Sequence, residues 1–209
     1  MLVLGSQGCV SDEKYIEKMS EINIEFNTNK EELVWFAMSA PYCKELDAKR
    51  LLEKQNVESF VPMCYEIVLK KGGAKSRELV PAIHNLIFVR TTRSIMQDLK
   101  KQILFLQYLI RPENGKNIPV IVPDTQMKQF ITVSETHCEK LTYLKPDEVD
   151  LRRGTPVRII GGTFDGVEGF FVKVRGIRSK RVVVSVQGIA AMAIAEIRND
   201  LIEVLSQKL

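Results

Sequence analysis

From residue 33 onward, short apolar runs alternate with charged, amphipathic segments. Continuous or alternating apolar runs are typical of strands, whereas apolar positions that recur every three or four residues are typical of helices. Leu46, Ala48, Leu51 and Leu52 have the helical spacing, among lysines, arginines and acidic residues. In chain order the pattern predicts a strand at 33–40, a helix at 44–55, strands at 57–69 and 79–92, a helix at 94–102 and a strand at 103–110.

This order of elements is the split βαβ pattern of ferredoxin-like domains. A short extended piece at 119–122 and a helix at 124–136, with Asp124 as its N-cap, follow it. We therefore predict an α+β fold whose first domain, at residues 32–140, contains an antiparallel sheet. Residues 1–31 are polar and weakly patterned, so we expect them to form a loosely ordered extension.

The region from Gly154 to Gly169 has a different pattern. An apolar, β-branched run ends in a turn with several glycines, and a second apolar run follows at 170–174. Because closely spaced glycines permit positive φ and close backbone approach, this arrangement predicts a tight β-arch that opens a small barrel. Pro146 and several charges interrupt the pattern before it, so we predict a linker at 141–152 and a second domain at 153–206.

The last third of the second domain contains a conflict between local preference and predicted pairing. Residues 187–197 hold four alanines, which favour helix by up to ~0.7 kcal/mol per residue over typical strand formers. The valines just before them, at 182–184 and 186, offer a strongly β-prone partner. We therefore predict that 187–197 completes the barrel as a strand and that a helix resumes only at 199–205.

Charge and cysteine content limit the possible functions. The chain of 209 residues has 30 basic and 26 acidic residues and a net charge of +4, which permits contact with nucleic acid without requiring it. Cys9, Cys43, Cys64 and Cys138 are far apart and form no C-x-x-C motif, so the spacing indicates reduced thiols in a cytoplasmic protein and no metal site. No apolar run is long enough to span a bilayer, and we expect no membrane partner.

An enzyme that uses Cys43 or Cys64 as its nucleophile is one alternative. His137 and Cys138 are adjacent in sequence, and adjacent side chains on a helix point apart, so they do not form a ready nucleophile and base. The sequence has no phosphate-binding loop and no metal-ligand spacing. We therefore expect a binding protein that uses no cofactor.

Residues 157–169 resemble the KOW motif, V-x-I-x-x-G-x-F-x-G-x-x-G, which opens an SH3-like barrel. A ferredoxin-like domain followed by a KOW domain is the plan of the NusG family of transcription elongation factors. Trp35-Phe36 stands where the family has W-Y, and Pro81 to Val89 resembles its P-L-F-P-G-Y-x-F-V, with His84 for proline, Asn85 for glycine and Leu86 for the aromatic. Residues 181–194 and 198–205 resemble the corresponding segments of the UpxY group. Asn85, in place of the usual glycine, makes the motif more similar to that of specialised paralogues such as RfaH.

The resemblance implies an antitermination factor that binds RNA polymerase and suppresses pausing or termination, in the UpxY group at capsular polysaccharide operons. The family uses an apolar surface of the first domain to bind the clamp helices of the largest polymerase subunit. Two of the matching residues, Ile83 and Leu86, are expected at the surface. The candidates for this contact are Trp35, Phe60, Pro62, Tyr65, Ile83, Leu86 and Phe88.

Three groups of basic residues are candidates for binding nucleic acid, either upstream or non-template DNA or nascent RNA. They lie in a predicted hairpin loop with Gly72-Gly73 at its tip, after the strand at 79–92, and around Gly176 in the barrel. The residues are Lys70, Lys71, Lys75 and Arg77, then Arg90 and Arg93, then Lys173, Arg175, Arg178, Lys180 and Arg181. Solvated hairpins without a ligand remain an alternative for the first and third groups.

The second domain is expected to recruit a further partner, either a ribosome or a termination factor. The alternative to a polymerase-binding factor is a KOW protein associated with the ribosome or with RNA. That class predicts a larger excess of lysine and arginine than 30 basic against 26 acidic residues.

Overall fold

The structure is a computed structural model that describes residues 32–70, 73–136, 141–144, 150–176, 178–186, 189–194 and 201–205. The expected N-terminal extension, and with it Cys9, lies outside the described residues. So do Lys71, His137 and Cys138.

The first unit has a five-stranded antiparallel sheet, and its strand order confirms the α+β prediction. The strands are β1 (Val34–Ser39), β2 (Glu58–Phe60), β5 (Leu86–Thr91), β6 (Gln107–Tyr108) and β9 (Ile121–Val122). The order is β2-β5-β1-β6, with β9 also paired to β1. Strands β3 and β4 lie outside this sheet. When β1, β2, β5 and β6 are counted as strands 1 to 4, the order read from β6 is 4-1-3-2, which is that of a ferredoxin-like fold.

Two amphipathic helices pack on one face of this sheet. They are α1 (Glu45–Lys54) and α2 (Arg93–Gln102), each within two residues of the predicted bounds. Thr92 begins α2, because its side-chain oxygen accepts a hydrogen bond from the Ile95 N–H. Alternation along β1 and β5 sends Phe36, Met38, Ile87 and Val89 into the same buried cluster as the apolar residues of the two helices.

The predicted strands at 57–69, 79–92 and 103–110 differ from the structure. A hairpin of β3 (Met63–Leu69) and β4 (Lys75–Pro81) projects as a separate two-stranded sheet, and a turn at 82–85 separates β4 from β5. The prediction at 103–110 was wrong over its first part, because the Ile103 N–H bonds to the Leu99 carbonyl and closes the end of α2. A hairpin of β7 (Ile110–Glu113) and β8 (Lys116–Pro119) then turns at Asn114 and Gly115.

The opposite face of the first sheet is covered by α3 (Asp124–Glu135). The helix begins one residue earlier than we predicted: Pro123 is its N-cap, and Asp124 is its first helical residue. Phe130 of α3 packs edge-on against Phe60 and Phe88, with ring centroids 6.3 and 5.8 Å apart. The helix therefore covers the sheet face that carries Trp35, Leu86 and Phe88.

The second unit is a six-stranded antiparallel sheet, called here the C-terminal sheet. Its strands are β10 (Leu141–Leu144), β11 (Thr155–Ile159), β12 (Glu168–Lys173), β13 (Lys180–Val186), β14 (Ala190–Ile194) and β15 (Ile202–Val204), with a short 3₁₀ helix at Leu151–Arg153. The order is β10-β14-β13-β12-β11-β15. Apart from that 3₁₀ helix, the regular elements described in this unit are all strands, as predicted.

The alanine-rich segment forms β14, where Ala190 to Ile194 pair with the valines of β13. Sheet pairing therefore overrides the helical preference of alanine, as predicted. The helix expected at 199–205 was wrong over its described part, because Ile202–Val204 forms β15 and pairs with β11. The segment expected as a linker at 141–152 begins with strand β10, which pairs with β14 through Leu141 to Leu144.

The two units share one hydrophobic core. Met127, Phe130 and Val133 of α3 belong to the same buried cluster as Val182 and Val184 of β13. A polar contact accompanies it: the Tyr143 hydroxyl lies 2.8 Å from Ser134 Oγ and donates to the Met63 carbonyl at 3.3 Å. Burial raises the pKa of Tyr143. The C-terminal sheet is therefore packed against α3 in this structure.

Within the described residues, no helix is both long and apolar enough to cross a membrane.

Candidate functional site

The β3–β4 hairpin exposes an apolar row beside a basic row. Tyr65, Ile67 and Leu69 alternate along β3, so they share one side of the hairpin. Their cross-strand partners are Leu79, Arg77 and Lys75 in that order, and directly opposed residues lie on the same side. We call these six residues the hairpin face. Ile67 and Leu69 are 70% and 68% exposed, which is unusual for large aliphatic side chains that sit next to each other.

The cations of this hairpin have different surroundings. Arg77 stacks over the Tyr65 ring, with its guanidinium carbon 4.3 Å from the ring centre. Lys70 forms an ion pair with Glu78, with Nζ and Oε1 3.0 Å apart, and this hydrogen bond lowers the pKa of Glu78. Lys75 is exposed, and Lys71 lies outside the described residues. The structure thus places Lys75 and Arg77 on the hairpin face, while Lys70 is engaged with Glu78.

Most of the apolar candidates for polymerase contact lie in the core. Trp35, Leu86 and Phe88 are buried in the cluster shared with α3 and the C-terminal sheet. Leu86, for which we expected a surface position, is 3% exposed, because strand alternation puts it on the side of Phe88. Phe60 and Ile83 are partly buried against the same cluster.

Two further apolar candidates have contrasting positions. Pro62 is buried, whereas Tyr65 is exposed, on the hairpin face. Tyr65 is therefore the one residue of the expected polymerase set that the structure describes as exposed.

Arg90 is held in an ion-pair bridge. Its two terminal nitrogens lie 3.2 Å from Glu58 Oε2 and from Asp124 Oδ2. The hydrogen bond to Glu58 is the largest cause of the raised pKa of Arg90. The bridge ties β2 and β5 to the first turn of α3. It borders a cavity of about 260 Å³ lined by Trp35, Glu58, Arg90, Asp124, Lys128, Ile131 and Thr132.

Arg93 differs from its neighbour, because it is exposed in the first turn of α2. Burial raises the pKa of Tyr108, and the nearby positive charge of Arg93 partly offsets that rise. The structure therefore separates the two arginines that the sequence placed in one group.

The third basic group lies at the tip of the β12–β13 hairpin. Lys173 and Lys180 are directly opposed in the register, and Gly176 has a φ of 79° in the turn between the strands. Lys180 Nζ lies 5.6 Å from the centre of the Phe171 ring. Within the described parts of the chain, Lys173, Arg175, Arg178, Lys180 and Arg181 form no ion pair within 4.0 Å. They form a concentrated positive surface.

Sequence reasoning missed one side-chain cluster. Cys43, Glu45 and His84 each place a potential ligand atom within 4.8 Å of the others. Cys43 and His84 are far apart in sequence, but the antiparallel pairing of β1 with β5 joins Ser39 to Leu86 and brings the two neighbouring loops together. Only knowledge of that register could have indicated the cluster.

Cys64, the other thiol considered as a nucleophile, is partly buried. Burial is the main cause of the raised pKa of its thiol, and Glu66 adds to it. An activated cysteine nucleophile requires a lowered pKa, so this environment acts against the enzyme alternative at Cys64.

Comparison with known proteins finds a family match within the first unit. Residues 33–131 match the family model described as "Transcription termination factor nusG". The matched segment contains the first sheet, the β3–β4 hairpin and most of α3.

Among solved structures, the chain is similar to the one described as "Domain interaction in Thermotoga maritima NusG". The identity is 16% and the TM-score is 0.42, over 84% of this chain and 98% of that chain. No curated protein sequence matches this chain.

Proposed function

We propose that this protein is a transcription elongation and antitermination factor that binds RNA polymerase through its first unit and suppresses pausing or termination. The observation that carries the proposal is the exposed hairpin face, which lies wholly within the segment that matches the NusG family. The finer assignment is to the UpxY group, at operons of the capsular polysaccharide type. It rests on the sequence resemblance of residues 181–205.

The hairpin face has the chemistry of a protein-docking surface. Tyrosine and arginine are enriched among the residues that carry the binding energy of interfaces, and neighbouring side chains exclude water from them. Ile67 and Leu69 are exposed in the free protein and available for burial, and Arg77 stacks on Tyr65 beside them. The clamp helices of the largest polymerase subunit are the proposed partner, because the resemblance to the NusG family implies that contact.

The shared core adds a condition for any wider contact. Phe60 and Ile83 are partly buried against the cluster that includes α3 and the C-terminal sheet. A polymerase contact that includes them requires their side chains to be uncovered, whereas a contact with the hairpin face requires no rearrangement. The hairpin face is therefore proposed as the first point of docking.

Nucleic acid is the proposed second partner. Lys75 and Arg77 of the hairpin face, with exposed Arg93, would follow upstream or non-template DNA beside the polymerase. The β12–β13 tip would contact nascent RNA, a termination factor or a ribosome. The match of the C-terminal sheet to a KOW domain rests on its glycine-rich turn, in which Gly161, Gly162 and Gly166 all have positive φ.

The proposal is tested by binding of the full chain to RNA polymerase and, separately, to ribosomes. The double variant Ile67→Asp/Leu69→Asp is expected to weaken polymerase binding at least about 30-fold, because two central apolar side chains cost ~1 kcal/mol or more each. Leu104→Asp is the matched control, since Leu104 is also 68% exposed but lies outside the hairpin. If the double variant and the control bind polymerase with equal affinity, the hairpin face is not the polymerase contact. Binding to ribosomes alone would favour the alternative below.

A KOW protein associated with the ribosome or with RNA remains the second candidate. The observation that favours it is the concentrated positive surface at the β12–β13 tip, which suits phosphate. Under this alternative, neutralising Arg175 and Arg178 abolishes ribosome or RNA binding, and the hairpin-face variants have no effect.

A further inference from the structure

Three potential metal ligands converge at one end of the first sheet. Cys43 follows β1, Glu45 is the first residue of α1, and His84 lies in the turn before β5. The cysteine sulfur, a carboxylate oxygen and a ring nitrogen all lie within 4.8 Å of one another. Thiolate, carboxylate and imidazole are the three protein groups that bind zinc.

The carboxylate of Glu45 supplies an independent indication that a cation belongs here. Glu45 is 1% exposed, although a buried carboxylate is costly unless it is paired. Its Oε1 lies 4.0 Å from His84 Nδ1, at the outer limit of an ion pair, and its Oε2 is buried with no hydrogen-bond partner in the described structure. The N-terminus of α1 offers only a partial positive charge. A buried carboxylate that keeps one oxygen unsatisfied and lies next to a thiol and an imidazole fits a positive ion.

The backbone holds the two loops together independently of any ion. The side-chain oxygen of Asn85 accepts a hydrogen bond from the Cys43 N–H at 3.0 Å, and the Asn85 carbonyl accepts one from the Ala40 N–H at 2.9 Å. Tyr42, Cys43 and Asn85 all have positive φ, which is uncommon for residues other than glycine. The loops are therefore fixed in a conformation that costs free energy and that brings Cys43 next to His84.

We propose that this protein binds one Zn²⁺ ion through the Cys43 thiolate, the Glu45 carboxylate and the His84 imidazole, with water as the fourth ligand. Zinc–ligand bonds of about 2.0–2.3 Å in a tetrahedral site place ligand atoms ~3.5 Å apart. Cys43 and His84 are exposed and can rotate to close the remaining gap, whereas buried Glu45 is fixed. The mixed sulfur, nitrogen and oxygen set selects zinc over Mg²⁺ or Ca²⁺, which prefer oxygen ligands.

Binding releases the thiol proton of Cys43, because only the thiolate is a zinc ligand. The ion would then join the loop after β1 to the turn before β5 and neutralise the buried carboxylate. Its role would be to stabilise this end of the first sheet. The site is independent of the proposed polymerase contact, because none of its ligands belongs to the hairpin face.

The test uses the full chain, reduced and freed of metal, titrated with Zn²⁺ and, as a spectroscopic probe, with Co²⁺. We expect one ion per chain and a thiolate-to-cobalt charge-transfer band. Cys43→Ser should abolish that band, and His84→Ala should weaken zinc binding by at least about 100-fold, since even residues that only support a ligand cost 10–100-fold. Glu45→Gln keeps the shape of the side chain and should also weaken binding. Cys64→Ser is the matched thiol control and should bind as the native chain does.

Thermal unfolding gives a second readout, because a ligand that binds only the folded state raises its melting temperature. Zinc should raise the melting temperature of the native chain and of Cys64→Ser, and should leave that of Cys43→Ser unchanged. Failure of the native chain to bind zinc would overturn the proposal. So would unchanged zinc binding in both Cys43→Ser and His84→Ala, since other residues would then hold the ion. Rapid alkylation of Cys43 that depends on His84, with no metal bound, would identify a nucleophile–base pair instead.

Discussion

Two hairpins of this molecule have similar compositions but different environments. Both the β3–β4 and the β12–β13 hairpins combine a strand rich in apolar residues with lysines and arginines near a glycine turn. In β13, Val182, Val183 and Val184 are all buried, because the C-terminal sheet has a packed cluster on each side. In β3, Ile67 and Leu69 are exposed, because no described element covers that side. The comparison shows that strand alternation places side chains on a side, whereas the neighbouring elements decide whether that side is core or binding surface.

The difference also separates two kinds of nucleic-acid contact. The β12–β13 tip offers cations alone, which favours a contact with phosphate that depends strongly on salt. The hairpin face offers cations next to aromatic and aliphatic groups, which favours a contact that persists at higher salt.

A charge placed in each hairpin gives the largest contrast. Val183→Asp should lower the free energy of unfolding by several kcal/mol, because Val183 is fully buried and the carboxylate would have no partner. Ile67→Asp should change it by no more than about 0.5 kcal/mol, since the side chain is exposed. Urea denaturation measures both values. Similar destabilisation by the two variants would show that Ile67 is covered in solution.

Adding a methyl group at one glycine of each hairpin gives the next largest effect. A Cβ on Gly169 would lie 2.7 Å from the Val183 carbonyl oxygen, so Gly169→Ala should cost about 3 kcal/mol. Gly73, near the β3–β4 turn, has a φ of 82° and open space around it, so Gly73→Ala should cost only about 1 kcal/mol. Thermal unfolding compares the two. A larger cost at Gly73 would contradict the close packing of β12 on β13.

Salt dependence distinguishes the two basic surfaces. Neutralising Arg175 and Arg178 to glutamine should flatten the slope of log affinity against log salt by about 0.7–0.9 for each phosphate that the variant no longer neutralises. That variant should leave polymerase binding intact. Neutralising Lys75 and Arg77 should flatten the slope and also weaken polymerase binding. Titrations of transcription complexes at several salt concentrations measure both. Unchanged slopes in both variants would indicate that both hairpins are exposed to solvent and bind no nucleic acid.

The smallest expected effect concerns the ion pair within the β3–β4 hairpin. The pKa of Glu78 is lowered by the hydrogen bond from Lys70, so Lys70→Gln should return it towards the ordinary range, as measured by an NMR titration of the carboxyl carbon. A lowered folded-state pKa adds stability above the unfolded pKa, and that stability is lost as the pH falls through the folded value. Both groups are well exposed, so we expect no detectable change in overall stability. An unaltered Glu78 titration in the variant would exclude the ion pair.

The amphipathic helices were the most accurately predicted elements. α1 and α2 lie within two residues of their predicted bounds, because apolar spacing and charge are local properties of these segments. Strands were predicted less well where turns divide them. The apolar run at 103–110 was predicted as one strand. The β7–β8 hairpin that follows was not predicted, although Asn114-Gly115 is a strong sequence indicator of a two-residue hairpin turn.

The candidate site was predicted only in part. The sequence identified the basic residues of both hairpins but not their surroundings, such as the Lys70–Glu78 pair or the bridge from Arg90 to Glu58 and Asp124. These pairs join residues from different strands and helices, so their formation depends on sheet register. The exposed aliphatic side chains of β3 were also missed, because an apolar strand is ordinarily predicted to lie in a core.

Local sequence was enough to place α1, α2 and α3, to locate the glycine-rich turn and to indicate an α+β unit followed by a β-rich unit, although it wrongly indicated a further helix at 199–205. These features depend on interactions between residues close in sequence. Three features depend on the packed fold: Leu86 is covered by α3, Ile67 is exposed, and Cys43 and His84 meet at Glu45. Each of these depends on which distant segments pair and pack, because burial and contact between separate loops are properties of the whole fold.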